Sequence, residues 1–544
     1  MTNLEVAQAA KMCVIAKVAD QAGLQEDDYE ALGRYKGKLT FEGVNKLVEK
    51  KGRGKLVLVT AITPTPAGEG KTTVTVGLTQ GLNKIGVRAV SATREPALGP
   101  IFGNKGGACG GGYSQVVPME DINLFFTGDF PAITAAHNLL SALLDAHLHH
   151  GNALEIDPRV LRWPRAVDMN DRALREIVTG LGGKTNGPTR EGGFVITPAS
   201  EVMAILCLSR NLKDLKERLG NIVIGVGFDR KPRFCRDLKA AGAMTALLRD
   251  AMRPNLAQNI ENGLALIHGG PFGNIAHGCS SIISTECGLG LADYVVTEAG
   301  FASDLGAEKF LNIVCPRLGR GPDAIVLVTT VKAIELHGKG ELVVGMDNLK
   351  RHLKHLRNYG PPLVVTVNQF SGDSVEQLNS ILKLSAEMGV TATISDPFSA
   401  GGDGCREVAT AVVNACETSS SFKPLYESGD SIEEKLHQIC TKAYGGTGVT
   451  ITAAARKDLD WIERNGFGEL SVCVAKTQYS LSDDATLVNA PEDFTITVRE
   501  FRLSAGAGFV IAICGDILLM PGLTKTPSAN LIDVDVNGKI VGLF

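Results

Sequence analysis

No stretch of this chain reaches the ~18 consecutive apolar residues that a membrane-spanning helix needs. The N-terminus, Met1-Thr2-Asn3-Leu4-Glu5, also lacks a basic segment running into an apolar core. Both absences predict a soluble cytoplasmic protein with no membrane partner. There is no excess of positive charge either. A formal net charge of −4 leaves nothing to neutralise a phosphodiester backbone, so nucleic acid is excluded as a partner. The twelve cysteines contain no Cys-x-x-Cys pair, which argues against a zinc site and suits a reducing compartment. Cys207, Cys473 and Cys514 sit in apolar runs like small hydrophobes. Cys109, inside a glycine-rich stretch, is the one candidate for a reactive thiol. Internal repeats and low-complexity tracts are absent.

What is present is a chain of 544 residues, 44% hydrophobic and 21% charged, enough for two or three globular domains. Short apolar runs ending in Gly, Pro or polar residues alternate with helix-like stretches, the pattern of a doubly wound parallel sheet. Strands are expected at 56–62, 87–92, 221–226, 264–267, 294–297, 324–329, 363–367 and 391–394. Most are unbroken apolar runs, as in strands buried on both faces. Ligands then gather beyond their C-terminal ends. The fold expected is α/β, with a P-loop, doubly wound, mostly parallel sheet in a large N-terminal domain over 1–358. A mostly helical preface covers 1–54, where Lys50-Lys51-Gly52-Arg53 reads as a solvated face. Breaks near Tyr359-Gly360-Pro361-Pro362 and in the Ser-rich 418–430 predict two smaller α/β domains, 359–430 and 431–544.

The strongest local signal is Thr65-Pro66-Ala67-Gly68-Glu69-Gly70-Lys71-Thr72-Thr73, between an expected strand and a helix running to about Ile85. Gly68 and Gly70 let backbone N–H groups turn toward phosphate oxygens. The helix N-terminus adds partial positive charge, and Lys71 adds a full one. Thr72 can then hold Mg²⁺ through its hydroxyl. The pattern is a variant, because a strict Walker sequence has Gly where this chain has Thr65. The bland alternative is a glycine turn with an incidental lysine. Arg94 follows the next strand and therefore reaches the same edge, where its planar fork suits a carboxylate or phosphate. Pairing with Glu95 is the alternative. The stretch 99–113 carries so many glycines that close backbone approach to a ligand is expected. His268, beyond another strand, can orient a carboxylate or move a proton, or serve a purely structural end. Phe301, Phe370 and Phe398 each lie just past a strand and together suit a flat heteroaromatic ring.

These residues resemble the formate–tetrahydrofolate ligase family over nearly the whole chain. The matching blocks include the 65–73 loop, Arg94-Glu95-Pro96 through Pro100, 105–113, 268–278, Thr297-Glu298-Ala299-Gly300-Phe301 and 307–310. Others follow at 475–477, 505–509, 520–523 and 542–544. The resemblance implies ATP with Mg²⁺ at Thr65, Pro66, Ala67, Gly68, Glu69, Gly70, Lys71 and Thr72. Lys71 and Arg94 would stabilise charge on formate and the transferring phosphoryl group, with His268 in the same site. The reaction implied joins formate to tetrahydrofolate through formyl phosphate, giving 10-formyltetrahydrofolate, ADP and phosphate. It also implies a folate slot at Phe370 and Phe398, help from a monovalent cation such as K⁺ or NH₄⁺, and a homotetramer. Three positions depart from the family pattern. Phe398 stands where relatives have tryptophan, Phe125 where they have histidine, and Lys332 where they have arginine. Phe125 and Phe398 keep open a paralogue that activates a small carboxylate for a different acceptor, and a non-catalytic nucleotide-dependent switch is a third reading.

Overall fold

In the computed structural model, which describes residues 1–50, 54–103 and 107–543, one large sheet organises the chain. Its main strands in chain order are β1 (Tyr29–Ala31), β2 (Gly37–Leu39), β3 (Lys55–Ala61), β4 (Ala89–Thr93), β5 (Asn255–Asn259), β6 (Leu264–Ile267), β7 (Tyr294–Glu298), β8 (Ala324–Thr329), β9 (Leu363–Asn368) and β10 (Thr391–Ser395). Their spatial order is β1-β2-β5-β6-β4-β7-β3-β8-β9-β10. From β6 to β10 every neighbour is parallel. From β1 to β6 the pairing is antiparallel.

β3 sits inside the parallel part, and Leu56, Val57, Leu58 and Val59 are all fully buried. Its side chains alternate between faces. Leu56 and Leu58 join the principal core, whereas Val57 and Val59 pack with Val74, Leu78 and Leu82 of α1 (Lys71–Lys84). A strand covered on both sides has no polar alternation to show, which is why it reads as a continuous apolar run.

Seven of the eight expected strands lie in this sheet, and the eighth does not. The run at 221–226 forms Val223–Val226, paired antiparallel with Pro232–Phe234 in a separate two-stranded sheet. Its other edge is taken by Asp157 and Arg162, whose N–H groups donate to Val226 and Ile224. The preface is only partly helical, since β1 and β2 extend the sheet. Residues 51–53 of its basic tetrad lie outside the described residues. No sheet boundary falls at 359, because β8 pairs with β9 and β9 with β10, continuing the same ladder across the expected break. The C-terminal part builds its own sheets, with β11 (Gly448–Ile451) parallel to β13 (Thr495–Val498). There β12 (Ser471–Ala475) and β14 (Glu500–Ser504) flank β15 (Phe509–Ile513). Among the described residues no helix is long and apolar enough to cross a membrane.

One buried ion pair ties the C-terminal sheets to the large one. Lys476 Nζ lies 2.6 Å from Asp304, with side chains 0% and 2% exposed. The ammonium also donates to the carbonyls of Thr477 and Ser480. Removing one member strands the other charge without water. Lys476→Met is therefore expected to lower apparent stability by ~3–5 kcal/mol in chemical denaturation. A loss under about 1 kcal/mol would mean that Asp304 finds other compensation.

Candidate active site

The loop after β3 closes on itself before α1 begins. Glu69, buried despite its charge, accepts from the Thr65 N–H at 2.6 Å and from the Thr330 hydroxyl. Asn368, at the end of β9, donates to the Glu69 carbonyl at 3.0 Å. Gly70 caps α1 with φ +68°, and a side chain there would collide with the Asn368 amide, so both backbone and space require glycine. Pro66, Ala67 and Gly68 form the exposed rim. Glu69 thus staples the loop from inside. Beyond the cap, Lys71 Nζ donates to the Phe301 carbonyl at 2.9 Å. The Thr72 hydroxyl donates to Glu298, 3.0 and 3.1 Å from its two oxygens.

Arg94 arrives from β4, two strands away from β3. Its Nη1 donates to the Pro271 carbonyl at 3.0 Å. A Cβ on Gly300 would lie 3.2 Å from both Nη1 and Nη2, so the guanidinium lies against the bare backbone of that glycine. No carboxylate pairs with Arg94 among the described residues, and its Nε is buried without a partner there. Glu95 forms no ion pair with it, and burial, with the nearby charge of Asp129, holds the Glu95 carboxyl well above the usual range. Lys71 and Arg94 therefore converge on one turn, Gly300–Phe301, at the end of β7. Phe301 holds a left-handed φ of +60°, a conformation that costs a phenylalanine roughly 1–3 kcal/mol.

The chain belongs to the formate–tetrahydrofolate ligase family. The match to that family's profile, described as formate–tetrahydrofolate ligase, runs over residues 1–544. The protein is accordingly an ATP-dependent ligase of one-carbon metabolism, joining formate to tetrahydrofolate.

Within this ligase the other expected site residues fall into distinct groups. His268 is fully buried and both ring nitrogens are engaged, Nε2 with the Ala251 carbonyl at 2.7 Å and Nδ1 with the Ser281 hydroxyl at 2.6 Å. A carbonyl only accepts, so Nε2 carries the proton and Nδ1 accepts from serine. Neither nitrogen is left to address a substrate, and burial pushes the imidazole down to about 4. Phe370 and Phe398 stand exposed beyond the neighbouring strands β9 and β10, at 45% and 49% exposure. Phe301 belongs to the Lys71 turn, three strand spacings from β9, on the order of 14 Å. Gly111 and Gly112 lie directly under the Phe398 ring, where side chains would meet it within 3.4 and 2.8 Å. The Tyr113 N–H also donates to the Phe398 carbonyl. The glycines of 99–113 thus serve at least one protein contact, and residues 104–106 lie outside the described set. Cys109 is buried with its thiol pushed far up by burial, which rules out a reactive thiolate. Phe125 and Lys332 are exposed. Sequence reading missed Glu298, Asn368 and Thr330. Glu298 and Asn368 end β7 and β9, Thr330 directly follows β8, and those positions were the available signal.

The histidine gives a pH test. The unfolded chain takes up a proton on this group below about 6.5, whereas the folded protein does so only near 4. Its stabilising contribution is thus present at neutral pH and lost as pH falls through that window. The stability gap between the unaltered protein and His268→Gln is expected to narrow by ~2–3 kcal/mol between pH 7 and 4. A gap that stays constant would contradict a buried neutral imidazole.

Proposed function

We propose that phosphoryl transfer takes place at the shared edge of β3, β4 and β7, in a P-loop variant formed by Thr65, Pro66, Ala67, Gly68, Glu69, Gly70, Lys71 and Thr72. The convergence of Lys71 and Arg94 on Gly300–Phe301 carries this reading. Two cations held against a turn of bare backbone suit an anion that is gaining charge. A formate oxygen attacks the γ-phosphorus of ATP, the bond to the bridging oxygen breaks, and ADP leaves with the electron pair. Formyl phosphate results. The folate amine then attacks the formyl carbon, phosphate leaves, and the amine gives up its proton. Lys71 and Arg94 steady the phosphoryl oxygens in the first step and the departing phosphate in the second. His268 positions the turn after β6 and takes no proton.

Thr72 and Glu298 supply hard oxygens, which fit an Mg²⁺ held by one or two protein donors and completed by ATP phosphates. Bound there, the metal would neutralise phosphate charge. Among the described residues no cluster of three or more His, Cys, Asp or Glu offers an all-protein alternative. A monovalent cation fits beside Glu95, whose buried Oε2 lacks a partner among the described residues while neighbouring Asp129 is already paired with Lys38. Phe370 and Phe398 are assigned to the tetrahydrofolate ring. A homotetramer and a cytoplasmic location complete the proposal.

ADP release should require formate, and omitting each substrate in turn tests this directly. Lys71→Ala and Arg94→Ala are each expected to slow turnover at least ~100-fold. Near-normal rates in either would remove that residue from the mechanism. Phe398→Trp should lower the apparent KM for tetrahydrofolate severalfold through greater stacking area, and an unchanged value would take position 398 out of the folate slot.

A further inference from the structure

Thr63 lies just before the phosphate loop, and every polar group it has is held by side chains from two helices, α2 (Val331–His337) and α3 (Leu342–Arg357). Its N–H donates to His352 Nε2 at 2.9 Å. Its carbonyl lies 2.9 Å from His337 Nε2. Its hydroxyl accepts from Asn348 Nδ2 at 3.1 Å and lies 2.9 Å from His352 Nε2. All four residues are buried.

The partners decide the proton positions. Because His352 Nε2 accepts from a backbone N–H, its proton sits on Nδ1 and points to the Ser303 hydroxyl at 2.7 Å. His337 is the reverse. The Asn489 N–H donates to its Nδ1 at 3.3 Å, so Nε2 carries the proton and donates to Thr63. Two neutral imidazoles of opposite tautomer thus hold the N–H and C=O of a single residue, and neither can be replaced by a charged ring without losing a bond.

His352 also spans the site. One nitrogen holds Thr63 at the start of the loop bearing Lys71. The other holds Ser303, two residues beyond Phe301, whose carbonyl receives Lys71. We propose that His352 and His337 are positioning residues that set the phosphate loop against the Gly300–Phe301 turn and thereby tune its hold on ATP. The inference rests on the reading of 65–72 as the ATP loop.

Gln and Asn separate this role from mere core filling. A glutamine carbonyl reaches the place of Nε2 and can accept from Thr63, whereas an asparagine reaches only the place of Nδ1 and keeps Ser303. His352→Asn is expected to raise the KM for ATP about tenfold, and His352→Gln to stay within about threefold, with the KM for formate unchanged in both. Equal KM values for ATP in the two variants would overturn the proposal. If either His352 variant does not fold, His337→Gln and His337→Asn supply the same comparison, because glutamine keeps an N–H donor to the Thr63 carbonyl and asparagine does not. Calorimetric titration of the full-length proteins with Mg·ADP separates the loop assignment from the positioning role. An unaltered protein whose affinity does not depend on Lys71 would defeat the loop assignment. Lys71-dependent binding that is equally tight in the Asn and Gln variants would defeat the positioning role alone.

Discussion

Two positive groups brought to one peptide turn are an unfavourable arrangement unless something else holds them, and here backbone carbonyls do so. Phe301 receives the Lys71 ammonium and Pro271 receives the Arg94 guanidinium. Carbonyl dipoles absorb part of each charge, and in the proposed mechanism an arriving anion meets a field that is already aimed. Little reorganisation is then left for the moment of reaction, and that is the source of electrostatic catalysis. The parallel sheet makes the arrangement feasible, because only strands running the same way deliver Lys71, Arg94 and Glu298 to one edge.

Holding that edge requires buried polar groups, and the carboxylates of Glu69 and Asp304 each find partners there. Glu69 would be a costly buried charge if it did not accept from Thr65 and Thr330. Asp304 would be the same without Lys476, which reaches it from the C-terminal sheets. The C-terminal part thus supports the segment three residues past Phe301 and belongs mechanically to the site.

Much of this was legible in the residues because it follows local rules. Apolar runs flanked by glycine located the parallel strands, and the spacing of Gly68, Gly70 and Lys71 located the loop. What escaped depends on partners far along the chain. β5 reads as polar, Asn255-Leu256-Ala257-Gln258-Asn259, yet all five residues are buried. Asn255 donates to Asp129, and Gln258 bonds both backbone groups of Cys13. Pro361-Pro362 reads as part of a break, and only the fold shows the Pro362 carbonyl receiving the Ile325 N–H at the start of the β8–β9 ladder. His268 showed an imidazole at a strand end, and only the fold reveals that Ala251 and Ser281 occupy it. Thr63 carries no motif at all, and its importance lies in three side chains nearly 300 residues downstream.

The bare floor beneath Phe398 has an evolutionary corollary. Gly111 and Gly112 present only main chain to that ring, so the size of the aromatic group is not dictated from below by complementary side chains. A lineage can exchange one ring for another at this position in a single step, with no matching change in the surface it rests on. Change at this ring is thereby separated from the Lys71 loop, whose contacts are made by Thr330, Asn368 and Phe301.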